Sequence, residues 1–139
     1  MKQKISPEEY RNILVSLELD TLYLTEINSK YKENMISSNL KLDIEEKNTF
    51  EQENEILKVY YSYKLTAKEE FKEESAIIIQ AKYVVRYNLN KDLIITKDFM
   101  NIFTEITLGM LLWPFYRELV NNIINRMGVP SLILPLKRA

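Results

Sequence analysis

Leu57-Lys58-Val59-Tyr60-Tyr61-Ser62-Tyr63-Lys64-Leu65-Thr66 is the stretch on which the fold of this chain turns. Leu57, Val59, Tyr61, Tyr63 and Leu65 share one parity, against Lys58, Tyr60, Ser62, Lys64 and Thr66 on the other. A period of two with its apolar set on one side is the pattern of a strand with one buried and one wet face. The next segment repeats it, with Ile77, Ile79, Ala81, Tyr83, Val85 and Tyr87 opposed to Gln80, Lys82, Arg86 and Asn88. Between them Lys68-Glu69-Glu70-Phe71-Lys72-Glu73-Glu74-Ser75 reads as the charged end of a long hairpin.

The same pattern extends upstream. Leu40, Leu42 and Ile44 alternate with Lys41, Asp43 and Glu45 in an antiparallel strand. Earlier still, Ile13, Val15, Leu17 and Leu19 alternate, and the apolar parity then switches to Leu22 and Leu24 around Asp20-Thr21. A change of phase inside one run, with no turn residues to divide it, predicts a bulge or bend in a long strand. Ahead of it, Ser6 before Pro7-Glu8-Glu9 predicts a short opening helix, with a capping hydroxyl, proline in the first turn and acids at the positive end of the helix dipole.

Downstream the period changes. Phe99, Ile102, Phe103 and Ile106 fall at i, i+3, i+4 and i+7, the apolar stripe of a helix that Thr96 would cap. Pro114 is expected to break this region and open a second helix, with Tyr116, Leu119, Val120, Ile123 and Met127 on one face and Gly128 as the stop. Prolines 130 and 135 predict an extended segment after it. Strands followed by helices give an α+β fold: a four-stranded antiparallel sheet and two C-terminal helices packed on one face, in a single domain over residues 1–139.

Composition narrows the chemistry. The chain has 139 residues, 46% hydrophobic and 28% charged, enough to hold one core without staples. It has no cysteine and no histidine, so disulfides, thiolate and imidazole catalysis and structural zinc sites are excluded. No cofactor is expected. The carboxylates Glu45, Glu46, Glu51, Glu53 and Glu55 and those of 69–74 could hold a hard cation or act as acid and base, but interspersed lysines and the lack of a calcium-loop glycine read instead as a solvated sheet edge and hairpin tip. A net charge of -1 supplies no field for nucleic acid. The N-terminus lacks the apolar core of a secretory signal, and the uncharged stretches 106–116 and 127–136 are shorter than the roughly 20 residues of a membrane span. A cytoplasmic location is expected.

The order of elements and two local motifs resemble the SecB-type protein-export chaperones. Leu112-Trp113-Pro114-Phe115-Tyr116-Arg117-Glu118 resembles that family's Leu-Phe-Pro-Tyr-Ala-Arg-Glu, and Arg126-Met127-Gly128-Val129-Pro130-Ser131-Leu132 resembles its Arg-Gly-x-Phe-Pro-x-Leu, with Leu134-Pro135 echoing its closing Leu-x-Pro. Leu40-Lys41-Leu42-Asp43-Ile44 is similar to its second strand. The resemblance covers 13–136 in layout. It implies an ATP-independent holdase that binds unfolded client polypeptides in apolar grooves, assembled as a homotetramer, a dimer of dimers. Two departures stand out. The family continues into a tail that helps engage the export motor ATPase, whereas this sequence stops at Leu136-Lys137-Arg138-Ala139; and Asp20 is followed by Leu24 where the family's motor-binding pattern is Asp-x-x-x-Glu. Some SecB-like relatives instead protect the antitoxin of a toxin-antitoxin pair, the alternative partner for this chain.

Candidate client-binding residues are Trp113, Phe115 and Tyr116, where a bent chain can leave rings uncovered, and Tyr60, whose parity is opposite to that of its neighbours. Trp113 could equally anchor the helices. Tyr61, Tyr63, Tyr83 and Tyr87 are either groove walls or cross-strand core pairs. Asp20 is the candidate for a partner surface. Ile56, Tyr60, Ile78 and Val84 place apolar groups on the wet parity, which predicts association with a further chain.

Overall fold

The computed structural model describes residues 5–36 and 40–128. The Pro130 to Leu132 part of the second motif, Leu134-Pro135, and the terminal Lys137 and Arg138 lie outside the described residues. Helix α1 spans Pro7–Ser16, with the Ser6 hydroxyl accepting from the Glu9 backbone N–H at 3.1 Å and Pro7 in the first turn. Its start therefore follows the sequence, but its end does not. Ile13 and Val15, which alternate like strand residues, are helical, and strand β1 (Leu17–Tyr31) begins only at Leu17. Ile13 and Ser16, three apart, form the buried side of this last turn, so helical spacing wins locally over the short alternation.

The sheet comprises β1, β2 (Leu40–Glu53), β3 (Ile56–Glu69) and β4 (Ile77–Leu89), all antiparallel, in the order β1-β4-β3-β2. The expected bulge is present: the β1–β4 register slips between Leu19 and Thr21, so Asp20 is the extra residue. A second slip between Leu24 and Glu26 makes Thr25 extra, its hydroxyl donating to the Lys82 carbonyl at 3.1 Å. These two insertions keep Leu17, Leu19, Leu22, Leu24 and Ile27 on one face although their spacing in sequence is irregular. Asn54, with φ 57, turns β2 tightly into β3; asparagine tolerates that left-handed conformation better than most residues.

Gln52 then fastens the chain between sheet and helices. Its amide donates to the Leu93 carbonyl at 2.7 Å and its carbonyl accepts from the Ile95 N–H at 2.7 Å. Thr96 caps α2 (Lys97–Phe103) as expected, accepting from the Phe99 N–H at 3.1 Å.

Beyond α2 the structure corrects the expected break. A π-helical turn at Thr104–Leu108 leads straight into α3 (Gly109–Arg126), and the junction residues Phe103, Thr104, Leu108 and Gly109 all keep right-handed helical angles. Pro114 lies inside α3 rather than at the start of a second helix. The ring is tolerated because it sits on the solvent side, where Met110, whose carbonyl loses its intrahelical partner, is also exposed. Gly128, at φ 72, ends the helix as expected.

The π turn also explains which residues are buried. Phe99, Phe103, Leu108, Leu112, Tyr116, Val120 and Ile124 line the core at spacings of four, except for the step of five from Phe103 to Leu108. That extra residue rotates the stripe, leaving Ile106, which uninterrupted α spacing would bury, 56% exposed. The opposite wall is the inner face of β3 and β4, with Leu57, Val59, Tyr63, Leu65, Ile79, Ala81 and Val85 fully covered. Each such large apolar side chain contributes roughly 1.5–3 kcal/mol through burial.

Because an interior proline costs a helix about 3 kcal/mol, Pro114→Ala is expected to raise the unfolding free energy, by about 1–2 kcal/mol once the entropy that proline removes from the unfolded chain is offset. Urea titration with an unchanged slope checks this. A neutral or destabilising outcome would fit a helix start at Pro114 instead.

Candidate functional site

Two tyrosine environments lie back to back on the sheet. On the inner face Tyr63 stacks on Tyr116 at 4.5 Å between ring centroids and 11° between planes, with Tyr61 at 5.1 Å, Trp113 at 5.9 Å and Tyr83 edge-on at 6.3 Å. The Tyr116 hydroxyl donates to the Ile79 carbonyl at 2.8 Å, and the Tyr61 hydroxyl donates to Glu46 Oε1 at 2.9 Å. Burial raises the pKa of every phenol in this group; Tyr83 and, further along, Tyr87 are each pushed up to about 12. Buried phenols held neutral serve as amphipathic core, not as acid–base groups near neutral pH.

Trp113 and Tyr116 thus belong to the core, 4% and 0% exposed. They touch each other at 6.1 Å, while their neighbour Phe115 is 48% exposed on the outward side of α3. Tyr60 is on the far face of the sheet, 39% exposed, its hydroxyl donating to Glu51 Oε1 at 2.6 Å; that bond, with burial and the Glu51 charge behind it, raises its pKa. The four residues therefore do not converge on one groove. Asp20, the bulged residue, ion-pairs with Arg86 at 3.4 Å on that far face.

What sequence alone did not single out is a strip on β1. The helical run covers β3 and β4 but leaves the inner-face side chains of β1 open: Leu19 is 47%, Leu24 38%, Ile27 48% and Tyr31 40% exposed. Ile106, Met110 and Phe115 are further exposed apolar side chains on the helical run. The signal was present in the parity switch at Asp20, but only a strand at a sheet edge, reached past two bulges, leaves such residues uncovered. On the other edge β2 leaves Leu42 40% exposed on the same face, but its opposite parity carries Lys41, Asp43, Glu45, Lys47, Glu51 and Glu53, charges that resist edge pairing. Among the described residues no group of acids is close enough to hold a metal ion, and no helix is long and apolar enough to cross a membrane.

Neither a protein-family model nor a curated protein sequence matches the chain. Its fold is nevertheless shared with a solved structure, a SecB-like chaperone of Mycobacterium tuberculosis in complex with a ChAD peptide from the HigA1 antitoxin, at 14% identity and a TM-score of 0.76 over 93% of this chain and 96% of that one. A protein of unknown function from Streptococcus agalactiae aligns with a TM-score of only 0.42 at 8% identity, over 86% of this chain and 96% of that one. The architecture is the α+β fold of the SecB-like chaperones. That is the fold the two helical motifs and the strand order resembled in sequence.

Proposed function

We propose that this chain is a holdase of the cytoplasm, binding non-native polypeptide without nucleotide or cofactor along its open apolar surfaces. The observation that carries this reading is the half-exposed strip Leu19, Leu24, Ile27 and Tyr31 on the inner side of β1. An extended client placed there would gain apolar burial from alternate side chains and backbone pairing from the unpaired edge, with no requirement for a particular sequence. The same strip supports assembly into a dimer of dimers, since one monomer leaves apolar side chains open on both strand and helix.

A dedicated partner such as an antitoxin is the second reading, favoured by the peptide complex of the similar mycobacterial chaperone. Delivery to an export motor has less support, since Asp20 is engaged by Arg86 at 3.4 Å and Leu24 follows where the motor pattern has an acid.

The test is the refolding of a slow-folding, unrelated protein at equal molar ratio, with mass by light scattering in the same buffer. A holdase delays it; a chain committed to one partner leaves it unchanged. Ile27→Asp sets a charge in the strip without entering the core, so the thermal midpoint is expected to stay within a few degrees while client affinity falls about tenfold or more. Affinity equal to wild type would remove the strip from the binding surface.

A further inference from the structure

The helical run gives up hydrogen bonds at two separate places. In the π turn the Gly109 N–H donates to the Thr104 carbonyl, five residues back, and the change from a four-residue to a five-residue step leaves one N–H and one carbonyl unmatched. Further on, Pro114 has no N–H to give, and the Met110 carbonyl is left over. A π turn placed at the proline would merge the two losses. The N–H that such a turn leaves out would be the one proline lacks, and the Phe115 N–H would then reach the Met110 carbonyl. One hydrogen bond is recovered, and the wider turn takes the proline ring off that carbonyl.

Moving the turn from 104–108 to 110–114 rotates residues 105–113 by about 100°, so that each takes the place its successor now holds. The sequence fits both arrangements. Leu111 enters the place of Leu112, and Leu112 that of Trp113, so these buried places stay apolar. Thr107 enters that of Leu108, where its hydroxyl can bond the Phe103 carbonyl as the Thr104 hydroxyl now bonds that of Met100 at 2.7 Å. Leu108 takes the Gly109 place, where a Cβ stands 4.0 Å from the Tyr61 hydroxyl, an ordinary contact. Ile106 and Met110, now 56% and 59% exposed, move to the half-buried places of Thr107 and Leu111, while Glu105 and Gly109 take the solvent-facing ones. Against these gains stands Trp113, which leaves the core for the exposed place of Pro114.

We infer that the helical run exchanges between two registers, with the π turn at 104–108 and Trp113 buried in one, and the π turn at 110–114 and Trp113 exposed in the other. The ends of the moving stretch are fixed, because Phe103 packs edge-on against Tyr87 at 5.5 Å and Tyr116 stacks on Tyr63 at 4.5 Å. Only the residues between them turn, so the sheet and the rest of the core are common to both states. The exchange changes what the helical surface offers, Ile106 and Met110 in one register and Trp113 in the other, and any partner that covers one set selects its register. It does not involve the β1 strip and stands or falls without the client reading.

Trp113 is the single tryptophan, so its fluorescence reads the register without a label. Register shifts of helices take microseconds or longer, far beyond the emission lifetime, so the two states appear as separate populations. Iodide, which does not enter a packed core, is expected to quench a fraction of about a tenth or more of the emission of the folded full-length chain and to leave the remainder untouched. Deleting Ile106 removes the residue that the second register relocates, and is expected to bring that fraction to background. Pro114→Ala tests the same exchange at unchanged chain length: with an N–H restored at 114 the second π turn again costs a bond, and the fraction is expected to fall about fivefold. Emission as shielded in the parent as in the Ile106 deletion, or a quenchable fraction that survives either change, overturns the inference.

Discussion

Tyr116→Ala is expected to lower the unfolding free energy by about 4–5 kcal/mol and Tyr116→Phe by about 1–2 kcal/mol, read from urea or guanidinium midpoints. Alanine empties a wholly buried site and removes the partner stacked on Tyr63 at 4.5 Å. Phenylalanine keeps the stack and loses only the 2.8 Å bond to the Ile79 carbonyl. Typical domains have about 5–15 kcal/mol in hand, so the alanine variant approaches or crosses the limit of folding. Phe115→Ala, one residue away and facing solvent, is expected to change stability by no more than about 0.5 kcal/mol. The contrast matters for function. Client binding lost on altering Trp113 or Tyr116 would report an unfolded core, whereas loss on altering Phe115 would report a surface. Equal losses of stability at Tyr116 and Phe115 would contradict the placement of these rings.

The sheet was legible because its signals are local and periodic. Alternation over 57–66 and 77–88 marks strands whose inner face is wholly covered, and the switch of parity at Asp20 marks an insertion that pairing with β4 makes visible as a bulge. The second bulge at Thr25 left a weaker trace, since only Ile27 follows it before polar residues resume. Misreadings arose where a local rule met a tertiary one. Ile13 and Val15 alternate like strand residues, yet the capped start at Ser6 and the packing of Tyr10 on Phe99 at 4.9 Å hold them in a helix. Pro114 signals a helix start in isolation, but a proline whose missing N–H affects only a solvent-facing turn can be carried inside one. The tyrosines of β3 and β4 were open to two readings because composition does not say which face the helices cover. Once they cover the inner face, Tyr61, Tyr63, Tyr83 and Tyr87 become core and Tyr60 is left outside. The apolar strip on β1 depends on how far the helical layer reaches across the sheet, a property of the assembled layers that no single segment carries.

The largest contrast is expected from deleting single residues in the helical run. Removing Ile106 from the π turn leaves every core residue in place, because the step from Phe103 to Leu108 shortens from five to the four already used between Leu108, Leu112, Tyr116, Val120 and Ile124. The turn becomes α-helical, the stripe becomes regular, and the lost side chain is one that solvent already covers by more than half. Such a variant is expected to fold with an unfolding free energy within about 1–2 kcal/mol of the parent. Removing Glu118, exposed in the α-helical part of α3, has the opposite consequence. Everything after it turns by about 100° relative to the core, so Val120 and Ile124 leave the sheet while polar Asn121 and Asn125 turn toward it. Two large apolar side chains would be lost from the interior and buried amides left without partners, at a cost of several kcal/mol. Circular dichroism and a cooperative thermal transition separate the two: retained for the Ile106 deletion, broadened or absent for the Glu118 deletion. Equal damage from both would mean that the π turn does not set the phase of the helix over the sheet.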